Sequence, residues 1–178
     1  MKKVLVISTS PRVNSNSHAL AEEFARGAKE AGNDVEVICL RDKEIKYCMG
    51  CLACQKTGKC VIKDDAPAIV EKMHDAEVMV WATPIYYYEM SGQMKTMIDR
   101  GNPLYGTDYK FTNIYMLTSA AEDEPETPQR AISGLQGWID CFERASLKGT
   151  VFAGGVNMPG DIKGHKALAV AYEMGKSI

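Results

Sequence analysis

Short β-branched runs alternate with amphipathic stretches along this chain, and the alternation predicts an α/β architecture with a parallel sheet covered by helices on both faces. Val4-Leu5-Val6-Ile7 reads as a buried central strand. Ser17 then opens a helix over 18–31, in which Leu20, Phe24 and Ala28 recur at four-residue spacing and Gly32 suits the C-terminal cap. Val35-Glu36-Val37-Ile38-Cys39-Leu40 is the second strand. Asp64-Asp65-Ala66-Pro67 starts another helix, with acids where the helix dipole favours them and Pro in the first turn. The third strand, Glu77-Val78-Met79-Val80-Trp81-Ala82, runs into Thr83-Pro84-Ile85-Tyr86-Tyr87-Tyr88, which reads as a Pro-broken aromatic loop before a short helix over 95–100. Asn113-Ile114-Tyr115-Met116-Leu117-Thr118 is the fourth strand, followed by a long helix over about 126–145. Thr150-Val151-Phe152-Ala153 is the fifth, and a helix over 163–176 closes the pattern. Five strands with intervening helices and no internal repeat predict a doubly wound sheet, with 2-1-3-4-5 as the leading order. Ligands of such sheets lie beyond the carboxyl ends of the strands, so the loops after strands one, three and four should share one pocket.

At 178 residues and 46% hydrophobic content the chain is expected to form one domain, residues 1–178, around one substantial core. Twenty-one Lys and Arg against twenty-three Asp and Glu give a net charge of −2, with no basic stripe to track a phosphate backbone, so a nucleic-acid partner is disfavoured. No apolar run approaches the roughly 20 residues that cross a bilayer. The start, Met1 to Ser8, is too short an apolar run for a signal peptide, which leads to the expectation of a soluble, reduced, cytoplasmic protein.

That expectation changes the meaning of the cysteines. Four of the six fall within thirteen residues, as Cys48-x2-Cys51-x2-Cys54-x5-Cys60. Under reducing conditions such a cluster binds something or shuttles electrons rather than forming stable disulfides. Zinc sites usually set two close pairs a dozen or more residues apart, which this segment does not do. A segment coiling at about three residues per turn would point Cys48, Cys51 and Cys54 one way, with Cys60 as fourth ligand after a flexible 55–59 stretch. The pattern approaches cubane ligation by four thiolates, although ferredoxins use a shorter final gap followed by Pro. An iron-sulfur cluster, zinc and a metal-free thiol loop all stay open.

The turn after the first strand, Ser8-Thr9-Ser10-Pro11-Arg12-Val13-Asn14-Ser15-Asn16-Ser17, lacks both common glycine-rich phosphate signatures. It offers instead the hydroxyls and amide of Ser10, Ser15, Asn16 and Ser17, the guanidinium of Arg12, and the free N–H groups of the following helix. Such a ring of small donors suits a terminal phosphate, which is nearly dianionic. One strand away, the aromatic loop could stack a flat heteroaromatic ring. A mononucleotide with a ring at its far end follows, and flavin mononucleotide (FMN) is the natural candidate.

Through Thr9-Ser10-Pro11-Arg12 with Asn14-Ser15-Asn16-Ser17, the loop Thr83-Pro84-Ile85-Tyr86, Lys95 with Asp99-Arg100, and Gly154-Gly155-Val156 with Pro159-Gly160-Asp161, the chain resembles the flavodoxin-like NADPH-dependent FMN reductase family over nearly its whole length. The resemblance implies FMN phosphate contacts from Ser10, Arg12, Ser15, Asn16 and Ser17. It implies ring contacts from Thr83, Pro84, Ile85, Tyr86, Tyr88, Ser119 and Ala120. Cys48, Cys51, Cys54 and Cys60 followed by Asp64-Asp65 look like the iron-sulfur flavoprotein branch, in which four such thiolates hold a [4Fe-4S] cluster. The activity implied is an NAD(P)H-dependent oxidoreductase passing electrons through FMN to a flavin, quinone, azo or nitro compound or protein acceptor. An electron-transfer flavoprotein or redox sensor served by a ferredoxin-like partner is the alternative. A homo-oligomer, dimer or tetramer, is also implied.

The remaining reactive side chains read blandly. His18, His74 and His165 have no acids at ligand or triad spacing and read as solvated helix residues, so no catalytic residue is assigned. Lys95 and Asp99 form a helical i,i+4 pair, with Arg100 as an anchor for the next loop. Cys39, near the end of the second strand, and Cys141, in a helix beside Trp138 and Phe142, both read as small hydrophobes.

Overall fold

The computed structural model describes all of residues 1–178. In chain order the elements are β1 (Lys3–Ser8), α1 (Asn16–Glu30), β2 (Asp34–Cys39), α2 (Ala53–Thr57), α3 (Ala66–Asp75), β3 (Val78–Tyr86), β4 (Glu89–Met90), α4 (Gly92–Arg100), β5 (Asn113–Ser119), α5 (Gln129–Ile139), β6 (Ser146–Ala153) and α6 (Lys166–Lys176), with 3-10 turns at Leu40–Asp42 and Asn102–Leu104. Five parallel strands lie in the order β2-β1-β3-β5-β6, which is the expected 2-1-3-4-5 arrangement, and β4 adds a short antiparallel pairing to β3.

Alternation along the central strands divides the core into two layers. Val4, Val6, Val78 and Val80 face α1 and α6, together with Leu20, Phe24 and Ala171. Leu5, Ile7, Met79 and Trp81 face the opposite way, onto Ile69, Met73, Met94, Met97, Leu135 and Phe142 of and around α3, α4 and α5. Strands buried on both faces need apolar residues at every position, which is why they appear as unbroken runs. No helix is long and apolar enough to cross a membrane.

Several boundaries differ from the expected ones. Helix α1 begins at Asn16, because Ser15 rather than Ser17 is the cap and its Oγ accepts the His18 N–H at 3.1 Å. Its other end follows the expected glycine pattern: Gly32, at φ +85°, and Asn33 donate back to the Lys29 and Ala28 carbonyls. Helix α5 is shorter than expected, because after Ile139 the chain tightens into turns that lead into β6, itself four residues longer at its start. The stretch from Thr83 is no loop. Strand β3 continues through Tyr86, turns on Tyr87 and Tyr88 alone, and returns as β4, with Tyr86 paired to Glu89. Pro84 is tolerated because it lies past Ala82, the last β3 residue paired with β1.

The two helices on one face cross at glycines. A methyl group at Gly27 would strike the Tyr172 carbonyl, and one at Gly175 would strike the Phe24 carbonyl, both backbone atoms that cannot swing aside. Alanine is the better helix former by about 1 kcal/mol. Gly175→Ala is nevertheless expected to lower stability by roughly 1–3 kcal/mol through overpacking, as read by urea unfolding.

Candidate functional site

At the carboxyl ends of β1, β3 and β5 the loops line a cleft of about 190 Å³, partly open to solvent. Its walls are Ser10, Arg12, Ser15, Asn16 and Ser17 from the first loop, Pro84, Ile85 and Tyr86 from the end of β3, Ser119, Ala120 and Ala121 after β5, and Val156, Asn157 and Pro159 after β6. The expected sharing of one pocket by the loops after the first, third and fourth parallel strands is therefore observed. Thr83 and Tyr88 stand outside the wall.

The first-loop end gathers unpartnered hydrogen-bond donors. Helix α1 presents its first N–H groups, those of Asn16 and Ser17, with no backbone carbonyl behind them. Ser17 is fully buried, and its Oγ has no hydrogen-bond partner. A buried orphan hydroxyl costs roughly 1–3 kcal/mol, so Ser17 stands on the cleft wall as an unmet hydrogen-bonding group. The other polar groups on that wall already have partners within the protein. Ser15 Oγ caps the helix, and Ser10 Oγ accepts the Arg12 N–H at 3.2 Å. Asn16 is occupied with the loop after β6: its Nδ2 donates to the Met158 carbonyl at 3.0 Å, and its Oδ1 accepts from the N–H groups of Gly160 and Ile162 at 3.1 and 3.2 Å. Arg12 donates to the Asn157 carbonyl at 2.7 Å, which draws the same loop over the cleft.

Beneath the cleft a knot of buried hydroxyls fixes the floor. Thr9 Oγ1 lies 3.0 Å from the Ala82 carbonyl and 3.0 Å from Ser91 Oγ. The Ser91 N–H donates to Thr83 Oγ1 at 3.0 Å, and Ser91 Oγ caps α4 by accepting the Met94 N–H. Thr83 thus ties β3 to the start of α4, which Ser91 in turn ties to Thr9. Val156 and Asn157 reach the cleft because Gly154 lies against Asp123, where any side chain would clash, and because Val156 N–H bonds to the Ala120 carbonyl at 2.9 Å.

Tyr87 and Tyr88, at the rim beyond Tyr86, have φ of +51° and +65°. This two-residue hairpin turn favours Asn-Gly, and each left-handed tyrosine costs about 1–2 kcal/mol. Tyr87 is 99% exposed, and Tyr88 lies under the Arg130 guanidinium at 5.8 Å.

The cysteine segment forms a second, separate feature. Cys48 and Cys51 lie on an irregular, exposed stretch, interrupted by left-handed Gly50 (φ +65°) and Leu52 (φ +56°), and only Cys54 enters the short helix α2. The expected three-residue coil does not form, because those two left-handed residues reverse the chain. No three His, Cys, Asp or Glu side chains are gathered as a metal site. As folded, therefore, the four sulfurs do not fit a four-thiolate centre.

Both ends of the segment are nevertheless tied to Arg100, whose side chain, like that of Asp64, is fully buried. The Arg100 guanidinium donates to Asp64 at 2.5 and 2.9 Å, to the Lys46 carbonyl at 2.7 Å and to Cys60 Sγ at 3.4 Å. Burial opposes the Asp64 charge, but hydrogen bonds from Arg100 and the N–H groups of Lys46 and Ala66 outweigh it and hold the carboxyl below the usual range. Arg100 thus anchors the preceding cysteine loop rather than the following one. Asn102 Nδ2 donates to Cys54 Sγ at 3.2 Å.

Of the bland assignments, the Lys95–Asp99 pair is present at 2.7 Å. His74 does have companion acids, since Asp75 and Asp108 flank its two ring nitrogens at 3.2 and 3.0 Å. His165 caps α6 by accepting the Ala167 N–H. Cys141 lies past the end of α5 and is exposed.

Over residues 2–121 the sequence matches the family described as NADPH-dependent FMN reductase. The chain belongs to that family. Among its relatives, the iron-sulfur flavoprotein MJ1083 of Methanocaldococcus jannaschii is 40% identical over 102 residues, covering 57% of this chain and 53% of that protein. The chain thus spans about half the length of the first such relatives. YwqN of Bacillus subtilis, whose name provisionally describes an NAD(P)H-dependent FMN-containing oxidoreductase, is 29% identical over 95% of this chain and 94% of its own. An azoreductase from Bacillus anthracis has the same fold, with a TM-score of 0.75 at 19% identity over the full length of both chains.

Two outcomes follow from the geometry. Replacing Tyr87-Tyr88 by Asn-Gly is expected to raise the unfolding free energy by about 1–2 kcal/mol in thermal unfolding. Asp64→Asn is expected to lose about 3–5 kcal/mol at neutral pH, because it leaves Arg100 buried without its countercharge. Asp64 has a depressed folded pKa, so its contribution is fully present above the ordinary carboxylate value near 3.9 and fades as pH falls through the lower folded value. Urea unfolding from pH 7 down to pH 2 should therefore show the gap between wild type and Asp64→Asn closing at the acid end.

Proposed function

We propose that this chain binds FMN in the cleft and works as an oxidoreductase that takes electrons from reduced nicotinamide and delivers them to a flavin, quinone, azo or nitro compound, or protein acceptor. The observation that carries the reading is the unpartnered, buried Ser17 hydroxyl among the free N–H groups of α1, facing a cleft whose opposite wall is Pro84, Ile85 and Tyr86. That polarity matches a ligand with a dianionic phosphate at one end and a flat ring at the other. Ser17 and the α1 N–H groups would hold the phosphate, and Arg12 would add charge. The strand ends at Pro84–Tyr86 and Ser119–Ala121 would present backbone and flat side chains to the ring. Bound FMN supplies the hydride-accepting chemistry, which is why the chain needs no catalytic dyad of its own. What the residues contribute is orientation, and the hydroxyl knot of Thr9, Ser91 and Thr83 keeps the two ends of the cleft at a fixed separation. The family, and the description of YwqN, support both the FMN and the nicotinamide.

A second reading is favoured by the tied four-cysteine loop and the iron-sulfur flavoprotein relatives. In it the chain is an FMN electron carrier exchanging electrons with a ferredoxin-like partner, without nicotinamide turnover. Steady-state oxidation of NADH or NADPH with an artificial acceptor separates the two: saturable turnover supports the reductase, and reduction by ferredoxin alone supports the carrier.

The cleft assignment has its own test in Ser17→Ala. The lost hydroxyl has no partner in the protein, so folding stability should be unchanged or slightly higher. FMN should bind at least about tenfold more weakly, in line with the roughly 1.5–3 kcal/mol of a hydrogen bond to a charged group, whereas riboflavin affinity should not move. Fluorescence titration reads both ligands, and equal losses for FMN and riboflavin would contradict the placement of the phosphate.

A further inference from the structure

A second helix start shares the features of the first. Helix α5 opens on Pro128, which provides no side-chain cap. The N–H groups of Arg130 and Ala131 meet no backbone carbonyl, although Ala131 is fully buried. Thr127, immediately before Pro128, is 2% exposed, and its Oγ1 has no hydrogen-bond partner. A buried orphan of this kind is costly to keep. Arg130 adds a cation. Glu122, Asp123, Glu124 and Glu126 precede it, yet its guanidinium pairs with no carboxylate and lies over the Tyr88 ring instead. These donors stand on the ring side of the cleft. Tyr86, in the same hairpin as Tyr88, and Ala121, at the start of the loop that leads to Thr127, are both cleft walls. Helix α5 packs on that hairpin so closely that a methyl group at Gly134 would come within 3.1 Å of Met90 Cε. The left-handed turn at Tyr87 and Tyr88 carries the ring that meets Arg130, and backbone strain of this sort clusters at ligand sites.

We infer that the start of α5 is a second anion site, in which Thr127 Oγ1, the N–H groups of Arg130 and Ala131, and the Arg130 guanidinium hold the pyrophosphate of the reduced nicotinamide dinucleotide while its nicotinamide reaches the ring end of the cleft. The inference rests on the reductase reading and specifies how the electron donor is held. In that reading the start of α1 takes the FMN phosphate, so a second phosphate-bearing ligand needs donors of its own. A pyrophosphate offers enough acceptor oxygens to answer a hydroxyl, two N–H groups and a guanidinium together, and the helix dipole favours its charge. The four acids before the helix oppose a bound anion, but all are exposed and screened by solvent, whereas Thr127 and Ala131 are buried.

FMN-loaded wild type, Thr127→Val and Arg130→Ala test it with three ligands. Dihydronicotinamide riboside carries the same reducing ring as NADH and NADPH but no phosphate, so the ratio of kcat/KM for the dinucleotide to kcat/KM for the riboside isolates the phosphate contacts. That ratio should fall at least about tenfold in each variant. ADP-ribose has the pyrophosphate and no nicotinamide. In calorimetry it should bind wild type, and each variant at least about tenfold more weakly, a readout independent of turnover. Thr127→Val keeps the side-chain shape and removes a hydroxyl that has no partner in the protein, and Arg130 is exposed, so both variants should fold and their FMN affinity should be unchanged. An unchanged ratio or unchanged ADP-ribose affinity in either variant would overturn the second site while leaving the FMN cleft intact. Wild type reduced by neither the riboside nor a dinucleotide would instead overturn the reductase reading on which the site rests.

Discussion

The backbone N–H groups left unpaired in the first turn of α1 are the constraint on which the cleft depends. They lie where the sheet order reverses, with β2 on one side of β1 and β3 on the other, so the chain must leave the sheet there and a gap opens between the loops. A buried helix start cannot be left dry. Ser15 satisfies the His18 N–H, and the Asn16 and Ser17 N–H groups, with the Ser17 hydroxyl, remain. In the reading proposed above, an anion answers all of these donors and the helix dipole together.

The surrounding polar residues hold that gap open to a fixed shape rather than filling it. Asn16 makes three hydrogen bonds to the chain between Met158 and Ile162, and so ties the far wall to the first turn of the helix. Thr9 and Ser91 join the end of β1 to α4, and Thr83 joins β3 to Ser91, through hydroxyls that are fully buried. At the other pole, the Arg100–Asp64 pair does for the cysteine loop what Asn16 does for the cleft. In each case one side chain closes a long segment that would otherwise be costly to order.

Much of this was legible in the amino-acid order, for physical reasons that particular residues make clear. Strands such as Val4–Ile7 announce themselves because burial on both faces demands unbroken apolar runs. Ser10, Arg12, Ser15, Asn16 and Ser17 all line the cleft, because a strand-loop-helix connection fixes where they lie whatever the rest of the fold does. Val156, Asn157 and Pro159 are walls of the same cleft but lie more than a hundred residues away, and only the strand order brings them there. The Tyr87-Tyr88 turn was illegible because it breaks the preference for Asn-Gly that makes hairpins recognisable. Cysteine spacing alone suggested a coil, and the left-handed backbone at Gly50 and Leu52 is a property of the folded segment that spacing does not encode. Asn16 lines the wall as its position in the loop implies, while the three bonds of its side chain to the loop after β6 depend on tertiary placement that the local sequence does not encode.

The most direct test of the central claim is a crystal structure of the chain soaked with FMN. The account predicts phosphate oxygens on the N–H groups of Asn16 and Ser17 and on Ser17 Oγ, with the ring against Pro84, Ile85 and Tyr86. A phosphate bound elsewhere, or a ring lying at the α1 end with Ser17 Oγ still unpartnered, would contradict it.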